Sequence, residues 1–349
     1  SIFKNNKFII IYVIYLGLST LWSDYTFVSF KRWIKELGHL TMVLIILTED
    51  DPIEALTTMI KRTAYILLPL SIVFNRYYPE YSRLYSIGGG DPMLAGVATN
   101  KNSLGALCMV SGIVLFWHFV NTWRKRKENG ETKELMIMIL FLAMTLFLLY
   151  GAHSATSWLA TMIGVGMITV LNLNTFRNNI KAIIYCIIPS IGLLFIVHNF
   201  FDLMSITTSG LGRDETLTGR TDFWQELLAM AASPLIGTGY ESFWMGDRIA
   251  FFWDKYWWKP NQAHNGYLEI YLNLGVIGLT LLMLAILGAI ANVSKNIAKQ
   301  KDYDYQILRL AFLVILLAIN VTEANFKGFI WLVFLFFAVE GFDNKSKLE

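Results

Sequence analysis

The stretch KPNQAHNGYLEIYLNLGVIG, residues 259–278, runs from a polar and aromatic segment straight into an apolar run of membrane length. A helix starting near Ala263 puts Asn265, Glu269 and Asn273 at i, i+4 and i+8, one polar stripe, with His264, Leu268 and Tyr271 on the neighbouring face. At 1.5 Å per residue, Glu269 lies less than about 10 Å below the helix start. A carboxylate there faces protein or a water-filled cavity, because exposure to lipid is expensive. Two readings stay open on these residues alone. One is an interfacial histidine cap above ordinary helix–helix hydrogen bonds; the other is a site at the water–membrane boundary.

The rest of the chain supplies the membrane. Of its 349 residues 55% are hydrophobic and 16% charged, well below the roughly 25% charge of a soluble domain. Apolar residues gather in blocks that read as about ten spans, near 8–22, 36–49, 63–77, 102–121, 135–151, 155–171, 181–200, 264–292, 306–322 and 328–341. The span at 36–49 is the weakest, and SFKRWIKELGHL before it reads equally as an interfacial helix. The first block follows Lys4 and Lys7 but has no small-residue cleavage site, so it reads as a retained span.

Lysine and arginine set the orientation. With the N-terminus inside, RKRK (124–127), Arg177/Lys181, Lys295/Lys299/Lys301 and Lys345/Lys347 all fall on the cytoplasmic side. The expected organisation is therefore seven spans in 1–200, a large outer loop over 201–263, and three spans in 264–349. The formal charge of +3 is small and scattered, which gives no case for nucleic acid. Cys108 and Cys186 fall at opposite depths in apolar blocks, so neither a disulfide nor a thiolate metal site is expected.

Loops this long usually fold and carry function. Within 201–263, TLTGRTDFWQELLAMAASP reads as a short helix with Thr218 as N-cap and Phe223, Leu227 and Met230 on one face. GTGYESFW reads as a glycine-punctuated turn, and the segment after it holds Trp244, Trp253, Trp257 and Trp258. Those rings suit either an interfacial belt or stacking on sugars. A second outer loop, 78–101, contains GGGDP.

Polar groups collect on the outer side. Arg213 and Arg220 are suited to gripping phosphate oxygens, Arg220 at the start of the short helix where backbone N–H groups also favour an anion. Either is equally an ordinary solvated arginine. Lys101 and Asn102 stand where the fourth span begins, and the alternative there is a snorkelling lysine beside a cap. GAHSATS (151–157) joins spans five and six, and NVTEANFKG (320–328) places Glu323 outside. No similar gathering exists on the inner side. The chain has no Gly-Lys-Ser/Thr phosphate loop, no HExxH and no tight aspartate cluster, so the chemistry expected is free of ATP and of metal, with arginine charge in magnesium's place.

QAHNGYLEIYLNLGVIGL, with LTGRTDFWQELL, PLIGTGYESFW, TLWS (20–23), GVATNKNSLG (96–105) and NVTEAN (320–325), resembles the O-antigen ligase and Wzy-type polymerase superfamily, in particular its ExoQ-like exopolysaccharide branch. The resemblance implies an all-α integral protein of the bacterial inner membrane with about ten transmembrane helices and one partly helical periplasmic loop, glycosyltransferase type C-like. It implies a glycosyltransferase without cofactor, whose donor is a glycan on undecaprenyl diphosphate and whose acceptor is a glycan or lipid hydroxyl. Its essential histidine would fall on His264 and its loop arginine on Arg220. Arg213, Lys101, Asn102, Asn265, Glu269 and Glu323 are the expected substrate contacts. A chain-length regulator or a flippase would be its partners. One departure is Ala155, in HSATS, where relatives often carry a basic residue. Ligation and polymerisation share this machinery. A transporter or flippase is the alternative from another class, and would place its polar groups near the midplane.

Overall fold

The computed structural model describes residues 2–85, 92–129, 132–173 and 217–341. The expected seventh span at 181–200, Cys186 and Arg213 lie outside these residues. Among the described residues helix dominates, and the only sheet is a ribbon of β1 (Arg83–Leu84) antiparallel to β2 (Met93–Leu94), with Arg83 opposite Leu94. The chain divides into two compact units.

The unit formed by 50–195 and 297–315 is built on α4 (Pro52–Tyr77), α6 (Lys101–Asn129), α7 (Thr132–Ala152) and α8 (Ala155–Leu171), with the short α5 (Pro79–Ser82) before the ribbon. α6 packs against α4, α7 and α8 around buried Leu68, Leu104, Leu148 and Leu149. Gly164 on α8 lets Ile113 and Ile315 approach closer than a Cβ would permit. Cys108 is a buried free thiol in this core. α4 begins eleven residues before the expected span because Asp51 accepts from the Glu54 N–H at 2.9 Å and Pro52 sits at the first helical position. Those signals precede the hydropathy maximum and are invisible to it.

The other unit joins 1–49, 196–296 and 316–349. α1 (Ile2–Asn5), α2 (Lys7–Ser19) and a 3-10 turn at Thr20–Trp22 lead into α3 (Thr26–Leu47). α3 is one continuous helix, so the expected interfacial segment and the weak span are the same element. Trp33 ties it to α2 by donating to the Val13 carbonyl at 3.0 Å. Its buried Glu36 accepts from the indole of Trp331, on α13 (Gly328–Ala338), and lies 3.1 Å from His39 Nδ1. The loop contributes α9 (Leu217–Ala229) and α10 (Gly246–Lys255). Thr218 falls inside the first turn of α9 rather than at its cap. Phe223 and Leu227 bury as expected, against Phe243, Phe252 and Ala263.

α4, α6 as far as Arg124, α7 and α11 (Gly266–Ala298) are long and apolar enough to cross a membrane. Lys7–Trp22, Ala155–Leu171 and Gly328–Ala338 are shorter apolar helices, and α12 (Tyr303–Ile319) covers the expected ninth span. On α7, Met136 is 66% exposed and Phe147 56%, a surface that water would not favour and lipid would. The protein is a multi-pass membrane protein, and its described architecture is all-α.

α11 is broken. Gly275 has φ 65° and ψ −168°, a conformation open in practice only to glycine. The segment 234–239 fills the gap with backbone: the N–H groups of Thr238 and Gly239 donate to the carbonyls of Leu272 and Asn273 at 3.1 and 2.8 Å, and those of Val276 and Ile277 donate to Pro234 and Leu235 at 2.9 and 3.2 Å. A Cβ on Gly275 would collide with the Leu235 backbone, and one on Gly237 with the Asn273 backbone. Irregular backbone within an apolar helix persists only where protein satisfies it, and here it does.

Candidate active site

His264 does not lie on the helix face expected for it. α11 starts at Gly266, Asn265 caps it by accepting from the Leu268 N–H at 3.0 Å, and His264 precedes the cap with φ 50°. A left-handed histidine is uncommon and needs surroundings that hold it. Those surroundings come from three directions.

From below, Glu269 reaches back. Only 6% exposed, it accepts from the Ala263 N–H at 2.9 Å and the Trp244 indole at 3.0 Å through one oxygen, and from Lys327 Nζ at 3.1 Å through the other. Asn273 continues the stripe, donating to the Glu269 carbonyl at 2.8 Å and accepting from the Phe243 N–H at 3.1 Å. The polar stripe read from the sequence is therefore real. Its groups bind the segment before the helix to the helix itself, which is why a greasy helix carries them.

From the loop, Trp224 on α9 donates to the Ala263 carbonyl at 2.8 Å. Trp258 lays its ring 5.8 Å from that of His264. Arg220 occupies the position one turn before Trp224 on the same helix.

From the third side comes NVTEAN. Buried Asn320 organises it, accepting from the Asn325 N–H at 2.8 Å through its side chain and from the Gly266 N–H at 2.8 Å through its carbonyl. Glu323 is thereby carried to His264, with Oε2 3.4 Å from Nδ1, in ion-pair range. Gln262 Nε2 is 3.5 Å from the same nitrogen. Among the described residues Nε2 has no hydrogen-bond partner, and the His264 side chain is 25% exposed.

Beside the turn is a cavity of about 20 Å³ lined by Tyr240, Glu241, Glu269, Asn273 and Lys327, room for about one water. Burial lowers the Lys327 pKa, but the charge of Glu269, then that of Glu241, more than offset it, so the ammonium titrates above its ordinary value. Sequence reading missed Lys327, which lies 58 residues from Glu269; the sign of one buried carboxylate awaiting a cation was its only clue.

The structure thus gathers His264, Asn265, Glu269 and Glu323 in one unit. Lys101 and Asn102 belong to the other, at the start of α6, where Asn100 caps by accepting from Ser103 at 2.8 Å and Lys101 Nζ lies 3.2 Å from Met93 Sδ. Ala155 is exposed at the start of α8, after a Ser154–Ser157 hydroxyl pair 3.0 Å apart.

A family model described as "O-Antigen ligase" matches residues 139–283, a span that contains His264, Asn265 and Glu269. The exopolysaccharide production protein ExoQ of Rhizobium meliloti (strain 1021) is 24% identical over 309 residues, 85% of this chain and 67% of that protein. The match to ExoQ reaches beyond the family region, so the chain is similar to the O-antigen ligase model around the His264 turn and to ExoQ over most of its length.

Proposed function

We propose that this protein transfers a glycan from undecaprenyl diphosphate to an acceptor hydroxyl at the outer face of the bacterial inner membrane, as a polymerase or ligase of surface polysaccharide. The observation that carries the reading is the His264 turn: an imidazole with Nδ1 turned to Glu323 and Nε2 unbonded among the described residues, in a braced backbone, inside the region matched by the O-antigen ligase model. Nε2 takes the proton of the acceptor hydroxyl, the acceptor oxygen bonds to the anomeric carbon, and the bond to the diphosphate oxygen breaks with its electron pair. Diphosphate leaves well as an anion. The configuration at the anomeric carbon inverts. Glu323 holds the imidazole by Nδ1, and Arg220 and Arg213 meet the diphosphate. The donor chemistry needs no metal in this scheme. A chain-length regulator and a flippase are its expected partners.

The broken helix is the one observation that favours a transporter, since such breaks often hold ions. Here residues 234–239 already bond the four backbone groups at the break, which supports the enzyme. The test is the purified protein in nanodiscs with EDTA and an undecaprenyl diphosphate oligosaccharide from its own host. A ladder of longer lipid-linked glycans indicates a polymerase, and transfer to an added acceptor without a ladder a ligase. An intact donor after incubation with folded protein would end the enzyme reading.

A further inference from the structure

The tryptophans of 253–258 divide into an inner and an outer set. Trp258 turns inward, its ring 5.2 Å from Phe223, 5.7 Å from Tyr256 and 5.8 Å from His264. Trp253 and Trp257 turn outward, 45% and 64% exposed. Both flank one turn, closed by the Lys259 N–H on the Tyr256 carbonyl at 3.0 Å with Lys259 left-handed at φ 46°. The Trp253 indole donates to the Pro260 carbonyl at 2.9 Å, which pins its ring across that turn. Consecutive Cα atoms are about 3.8 Å apart, so the backbone of Trp257 adjoins that of the tryptophan resting on His264.

Two surfaces accept such rings, a bilayer interface and a sugar. An interfacial tryptophan points its N–H to water and headgroups, whereas that of Trp253 is bonded inward and only ring faces are left. Along the chain between the two tryptophans come Asp254, exposed, and Lys255, paired with Glu226 at 2.7 Å. Charges there oppose immersion of the turn in acyl chains. A pyranose offers what the turn lacks: an apolar C–H face for an indole and hydroxyls at its edge for a carboxylate.

Resting on the glycan-transfer reading, we infer that Trp253, Trp257 and Asp254 form a subsite for a pyranose of the acceptor glycan. The acceptor reaches the turn from the aqueous side, while the lipid-linked donor comes from the bilayer. The subsite holds the acceptor chain next to His264 between transfers.

The test uses the full chain in nanodiscs with fluorine-labelled tryptophan, Trp257→Phe and Trp253→Phe identifying each resonance. The probe is the lipid-free oligosaccharide repeat of the host's surface polysaccharide, and a second sample carries spin-labelled lipid. The expected result is a saturable shift of the Trp257 and Trp253 resonances with oligosaccharide, retained in His264→Ala, lost in Asp254→Ala for the edge contact, and unaffected by the lipid. In turnover, Trp257→Ala raises the acceptor KM about tenfold with kcat unchanged, and Trp257→Phe restores most of it. Broadening by spin-labelled lipid without a glycan shift overturns the subsite and makes the segment an interfacial anchor. Oligosaccharide shifts in a wild type that transfers nothing support the subsite while ending the transfer reading; transfer without shifts does the opposite.

Discussion

His264 holds its left-handed backbone because the residues on either side are fixed: Ala263 by Glu269 and Trp224, Asn265 by the first turn of α11. Its own side chain is a minor part of that scaffold, so His264→Ala leaves the melting temperature in nanodiscs unchanged while transfer falls at least about a hundredfold, the usual worth of a general base. A melting shift of several degrees would make His264 structural. Lys327 behaves oppositely. Lys327→Met leaves the Glu269 carboxylate buried without its cation and destabilises by about 2–3 kcal/mol, and Glu269→Gln in the same chain recovers much of the loss. The pH dependence has a definite sign. A lysine whose folded pKa lies above the ordinary 10.5 contributes its full stability below that value and loses it only as pH rises through the raised one. The contribution of the lysine is therefore undiminished up to about pH 9, and a melting difference between wild type and Lys327→Met that shrinks as pH rises from about 7 to 9 would place the lysine elsewhere than beside Glu269.

At the scale of the element, α11 shows what sequence can and cannot reveal. The polar stripe follows from a spacing of four, whereas the cap at Asn265 lies two residues past the start expected near Ala263. The break is not legible. GVIG reads as ordinary apolar helix, because the dihedral angles of Gly275 are set by residues 234–239, some forty positions upstream, and no local pattern encodes that pairing. Glu323 beside His264 was similarly hidden, since its placement depends on Asn320 bonding Gly266 across two helices. Gly275→Ala forces a Cβ into the Leu235 backbone and a residue with a side chain into a glycine-only conformation, for a loss of about 3 kcal/mol or more by thermal or denaturant unfolding. Retained stability would mean that α11 runs unbroken.

For the whole molecule, each long apolar helix among the described residues falls on a span read from hydropathy, though several begin elsewhere than expected. Hydropathy sees the apolar centre of an element, while Asp51-Pro52 starts α4 and α3 begins at Thr26, ten residues before the span expected there. The charge pattern makes a prediction of its own. In a Cys108→Ser, Cys186→Ser chain, a cysteine at Asp247 or Asp254 reacts with an impermeant maleimide in intact spheroplasts, and one at Lys127 reacts only after lysis. The reverse pattern would turn the site to the cytoplasm and remove its lipid-linked donor.

The backbone splice at Gly275 also bears on how the chain is made. Each polar backbone group left bare in hydrocarbon costs several kcal/mol, so the stretch before Gly275 gains nothing by entering the bilayer until residues 234–239 are there to receive it. Synthesis runs from the N-terminus, and those residues emerge first. The anchor that the insertion machinery must recognise is then Val276 onward through Ala298, about 34 Å of helix and sufficient alone. The nine residues from Gly266 to Leu274, though continuous with that anchor in the chain, add nothing to it and are held in place by residues 234–239 instead.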